Sequence, residues 1–153
     1  VREWAPLQVR LDHLLARPPW VPDAEQEVIF RILMAMQAVA YPEALFQAYR
    51  AVAAGRYVDF GSSEPRTTLR SAAACGHPEA IRLYARQVIA GEPPEESSHY
   101  ASSGLLWLHE RTNAEAELLR EFTRRFPWHL DSKESKIRSM DEWIAARCNE
   151  RRG

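Results

Sequence analysis

Five histidines (His13, His77, His99, His109, His129) and two cysteines (Cys75, Cys148) are the residues of this 153-residue chain best suited to hold a metal ion or attack a substrate. Their spacing assembles neither chemistry. No His-Glu-x-x-His segment sets two imidazoles on one helix face beside a general base, and no Cys-x-x-Cys pair is present. No four ligands fall at the spacings of a structural zinc site, so no metal is expected. Cys75 and His77 are too close in sequence to be a nucleophile and base oriented by a third group, and Cys75 reads as a plug at a helix junction. The serines of "FGSSEP" and "YASSG" form no nucleophile elbow and suit helix starts. Glu95 with Glu96, and Asp141 with Glu142, are adjacent acids of the kind found in loops and helix first turns. Without a phosphate-binding glycine loop, no cofactor is expected either. The residues point away from catalysis.

What polar chemistry remains belongs to arginines and aromatics, and its meaning depends on the elements that carry them. Apolar residues recur three and four apart along most of the chain: Leu7, Leu11, Leu14; Ile29, Ile32, Leu33, Met36; Leu45, Ala48, Val52; Ile81, Tyr84, Ala85, Val88; Leu118, Phe122; Ile137, Met140, Ile144. Breakers such as "RPPWVPDA", "GEPPEESS" and "FPWHLDSKES" separate them, and no alternating run suggests a strand. The pattern predicts an all-α protein. Hydrophobic residues make up 46% and charged residues 27%, which fits one packed domain, and a net charge of −1 gives no general attraction to nucleic acid. No apolar run approaches the ~20 residues of a membrane span.

The helices repeat. "YPEALFQAYRAVAAG" from Tyr41, "HPEAIRLYARQVIAG" from His77 and "NAEAELLREFTRRFP" from Asn113 begin 36 residues apart. Glu43, Glu79 and Glu115 coincide, as do Ala44, Ala80 and Ala116; Gly55 matches Gly91, with Pro127 in the third unit. The second halves place Trp107 and Trp143 in one slot. Repeats of 36 residues spanning 41–76, 77–112 and 113–148 follow, behind a degenerate helical capping pair over 1–40 and ahead of a tail over 149–153. Pro6 stands one period before Pro42. The alanines should let helices approach closely, the glycines should end helices in the left-handed conformation, and the tryptophans should fill the space between. Each hairpin then buries its face only against its neighbours.

At these residues the chain resembles the Sel-one-like repeat family, relatives of the tetratricopeptide repeats. "HPEAIRLYARQVIAGE" with "SAAACGH" before it matches best, and the resemblance covers roughly residues 41 to 148. It departs in the third unit, at Pro127 and Arg120, and the usual glycine inside the first helix is missing, with Tyr49 and Ala85 near that place. The resemblance implies a right-handed α-solenoid of antiparallel hairpins, about four units in all, acting as a bacterial adaptor and not as a catalyst.

In such a solenoid the first helices line the concave face. Six residues after the repeat alanine stand Arg50, Arg86 and Phe122, and nearby slots hold Phe46, Gln47, Arg82, Gln87 and Arg124. Arg50 above Arg86 would form a ladder suited to carboxylates of a partner protein's acidic segment; the same arginines could equally be solvated helix-face charges. Trp20 and Trp128 fall in matching loop slots at opposite ends, as interface anchors or as plugs over the end units. The two cysteines are separated by two stacking steps of roughly 10 Å each, beyond the ~7 Å that a disulfide spans, so two free thiols are expected. Free thiols lean toward a reducing, cytoplasmic setting; a leader removed ahead of Val1 would instead place the chain in a periplasm. Three functions compete: a protein-interaction scaffold, a cognate inhibitor or immunity protein masking a toxin or secreted enzyme, and a small hydrolase. The last is linked to cysteine-rich relatives whose paired cysteines this chain lacks.

Overall fold

A computed structural model describes residues 4–17, 23–56, 65–91, 98–127 and 132–149. All regular structure among them is helical: α1 (Trp4–Leu15), α2 (Asp23–Val39), α3 (Tyr41–Ala53), α4 (Pro65–Ala74), α5 (Pro78–Ile89), α6 (Ser98–Thr112), α7 (Ala116–Arg125) and α8 (Lys133–Trp143), which runs into a π-helical extension, Ile144–Asn149. The all-α expectation holds. No helix of the described residues is long and apolar enough to cross a membrane.

Local chemistry sets the boundaries. Pro42 and Pro78 sit in the first turns of α3 and α5, where a missing N–H costs nothing. Gly55 and Gly91 take φ values of 86° and 80° just past the ends of α3 and α5, as their alignment foretold, and Gly76 does the same after α4 at 88°.

Each helix from α1 to α6 packs on the next, with further contacts of α4 on α6, α5 on α7 and α6 on α8. The core follows this order in two clusters. Leu11, Leu14, Ile29, Ile32, Leu33 and Met36 meet Ala44, Ala48, Ala51 and Val52 of α3. Tyr41 and Leu45, on the adjoining edge of the same face of α3, belong to the second cluster, which extends through Leu69, Ile81, Leu105 and Phe122 to Met140 and Cys148. Helix α3 therefore joins the N-terminal pair to the rest through alanines small enough for close approach.

Three expectations need correction. Ala44 and Ala80 are fully buried, but their counterpart Ala116 is exposed, because α7 begins only at this residue whereas α3 and α5 begin before their alanines. The last two helices depart from a close hairpin, with α8 packed chiefly on α6. Most consequential, the cysteines are not free: Cys75 and Cys148 form a disulfide with Cα atoms 5.7 Å apart. The estimate of two stacking steps assumed second helices ranked side by side. Instead α8 runs along α6, and its π-helical extension ends at the turn after α4. There Ile144 and Trp107 both crowd Gly76, which has no side chain to hold them off.

Candidate interaction surface

The first helices α3, α5 and α7 carry the arginines singled out above, and the structure gives each a different setting. Arg50 is engaged within the chain: its Nη1 donates to Asp12 Oδ1 of α1 at 2.8 Å and to Gln47 Oε1 at 2.7 Å. Gln47 is buried, accepts a second bond from Gln8 Nε2 and donates to Glu43 Oε2. Gln8 also donates to Asp12 and accepts from the Trp4 indole. Arg50 and Gln47 thus knit α3 to α1. The Arg50 hydrogen bond holds the Asp12 carboxyl below its ordinary value of 3.8; partial burial works against this, and the Gln8 bond adds to it.

Along α5, Arg82 Nε donates to Glu115 Oε2 at 2.8 Å, and Nη1 lies 3.7 Å from Glu79. Arg86 on α5 and Arg124 on α7 are exposed, and Gln87 is half-buried. Arg50 and Arg86 do not share one setting, since the first is tied to α1 and the second faces solvent. Phe46 is half-buried and stacks on the His77 ring at 4.4 Å, with the Tyr49 ring 5.8 Å away. Trp20 and Trp128 lie outside the described residues.

His77 is the N-cap of α5. Its Nδ1 accepts the Ala80 N–H at 3.2 Å, so the proton resides on Nε2, which donates to Glu43 Oε1 at 2.8 Å. Glu43 and Glu115, equivalent in the repeat, therefore each bridge to a neighbouring unit. Two second helices repeat the theme. Trp107 Nε1 donates to Asp141 Oδ1 at 2.8 Å, and the Lys136 Nζ donates to Ser102 Oγ at 2.9 Å.

Sequence reasoning missed Arg56, which is 2% exposed. Its Nη2 donates to the carbonyls of Leu14 and Arg17, both at 2.8 Å, neutralising the C-terminal end of α1. No local signal marks this role, because Gly55 beside it ends α3 and the carbonyls it meets end α1. A small cavity lined by Arg70, Ala73, Ala74, Tyr84, Tyr100, Met140 and Trp143 has about 10 Å³, the size of one water site. Among the described residues no three His, Cys, Asp or Glu side chains converge as a metal site. No family model, curated protein or solved structure matches the chain.

Proposed function

We propose that the chain is a non-catalytic interaction scaffold, a short right-handed α-solenoid of Sel-one-like hairpins that holds a partner protein on the face of its first helices. One observation carries the reading. The polar bridges Glu43–His77, Trp107–Asp141 and Lys136–Ser102 each join residues 34 apart, and Arg82–Glu115 joins residues 33 apart. Those spacings are nearly one repeat, as nearest-neighbour stacking of like units requires. On this reading Arg86 and Arg124 are the cations left to meet a partner's acidic segment, with Phe46, Arg82 and Gln87 as flanking contacts. Gln47 and Arg50 shape the surface by anchoring α1. A photo-crosslinking residue placed at 86 or 124 should capture the same partner in native cells, and one at Arg70 on α4 should not. Capture from residue 70 alone would defeat the proposal.

The disulfide favours a narrower form of the same reading. Stable structural disulfides belong to oxidising compartments, so Cys75–Cys148 suits a protein working outside the cytoplasm, as an inhibitor or immunity protein of a toxin or secreted enzyme would. A secreted enzyme encoded beside this gene should lose activity when mixed with the purified chain. Full activity in a stoichiometric mixture would remove that form.

A further inference from the structure

Helix α2 has two faces. Ile29, Ile32, Leu33 and Met36 are buried in the cluster shared with α1 and α3. On the opposite side Ala24, Glu27, Arg31, Met34 and Ala38 are exposed, at spacings of three and four that align them as one stripe along the helix. Glu27 and Arg31, 60% and 77% exposed, pair with each other along the helix at 3.6 Å, and Met34 is 45% exposed. An apolar thioether left half in water between Arg31 and Ala38 is a reason to ask what covers it.

The stripe is complementary to itself. When two copies of α2 lie antiparallel about a two-fold axis beside residue 29, Glu27 of each copy faces Arg31 of the other. In the same register Met34 of each faces the small Ala24 of the other. Positions of the two classes that build a coiled-coil seam then meet in the alternating layers of an antiparallel pair, and the symmetry makes each contact occur twice. Val28 and Phe30, both half-buried, flank the axis and meet their own counterparts. We propose that α2 is a homodimerisation helix, its occupant a second copy of this chain docked antiparallel on the Ala24–Met34 stripe. Charge decides between this occupant and a foreign helix. The stripe carries one acid and one base a turn apart, so a uniformly acidic or basic helix would meet a like charge, whereas the second copy extends the Glu27–Arg31 pair into an alternating network of four charges. The surface lies on the N-terminal pair, away from Arg86 and Arg124, so it stands whether or not the first helices bind a partner.

Sedimentation equilibrium of the whole chain, whose monomer mass is 17.6 kDa, tests the proposal. The expected result is a reversible dimer that weakens as salt is raised. Arg31→Glu, which sets four carboxylates around the axis, should raise the dimer dissociation constant by about 100-fold or more, and Glu27→Arg should do the same. Combining Glu27→Arg with Arg31→Glu restores opposite charges and should return the constant to within about 10-fold of the parent. Circular dichroism melts of all three should be close to the parent, since both side chains are exposed. A chain monomeric at ~100 µM or a dimer indifferent to Arg31→Glu would overturn the proposal. So would a folded double variant that stays monomeric, or a monomer that uses this stripe for a different protein.

Discussion

The indole of Trp107 lies across Gly76 so closely that a Cβ at residue 76 would sit 3.0 Å from Cη2 of the ring and 3.1 Å from Cδ1 of Ile144. The ring cannot easily retreat. Its Nε1 is bonded to Asp141 at 2.8 Å, and the Arg111 guanidinium lies over its face at 4.6 Å. Gly76→Ala should therefore cost more than the left-handed backbone alone requires. Gly91, at φ 80° with nothing within 4 Å of its would-be Cβ, is the internal control. Gly91→Ala should cost ~1 kcal/mol, and Gly76→Ala roughly 2–4 kcal/mol, with the excess coming from the displaced ring. Denaturant melts giving equal losses would show that Trp107 yields freely.

The Cys75–Cys148 bridge closes a loop across a sequence separation of 73 and fastens the C-terminal extension to the turn after α4. A loop of that length constrains the unfolded chain by about 4 kcal/mol in the chain-entropy account. Thiol titration of the unfolded, unreduced protein should find no free thiol, and reduction or Cys75→Ser with Cys148→Ser should lower stability by roughly 2–5 kcal/mol. Two titratable thiols per chain would refute the bridge.

Much of the helical order was legible in the residues, and the failures share a cause. Pro42, Pro78, Gly55 and Gly91 announce helix ends through local backbone chemistry, and those ends are found where they were placed. The repeat carried Trp107 into a buried site, 8% exposed, but equally promised burial of Ala116 and Trp143. Ala116 is exposed at the first residue of α7, and Trp143, the last residue of α8, is half-buried against Tyr100 at 5.3 Å, because a repeat in sequence does not fix where a helix begins or how its neighbour crosses it. The engagement of Arg50 by α1 left a trace in Trp4, Gln8 and Asp12, a hydrogen-bonding stripe with four-residue spacing beside the apolar stripe of Leu7, Leu11 and Leu14. The disulfide left none. It depends on the angle at which α8 lies on α6, a property of packed surfaces that no spacing of residues encodes.

Asp12 makes stability depend on acid, weakly. Its folded-state pKa is lowered, so the associated stability is fully present above the unfolded value near 3.8 and is lost as pH falls through the lower, folded-state value. The side chain is 50% exposed, and solvent screening limits the contribution to under ~1 kcal/mol. Asp12→Asn should leave a melting curve at pH 7 slightly less stable than the parent and indistinguishable from it near pH 2. A difference that persists undiminished at pH 2 would mean the loss is one of packing and not of charge.

Arg82 and Glu115 give the sharpest test of how the units are joined. The Glu115 side chain is 8% exposed and that of Arg82 29%, so the carboxylate is the more deeply buried charge. A buried carboxylate that loses its counter-charge keeps its desolvation cost with nothing to offset it. An arginine that loses its acid can turn toward water and, here, toward Glu79 at 3.7 Å. The two single substitutions should therefore be unequal. Arg82→Met should destabilise by roughly 2–4 kcal/mol, moderated by the N-terminal end of α7 beside Glu115. Glu115→Gln keeps an acceptor for the Arg82 Nε and should cost about 1 kcal/mol or less. Once Glu115 is Gln, adding Arg82→Met should cost far less than it does alone, because no buried charge is left to strand. Denaturant titrations of the four proteins close the cycle. Equal single losses that simply add would show that the pair bridges α5 to α7 in geometry only, and the bridge spacing would then lose its energetic weight as support for stacked units.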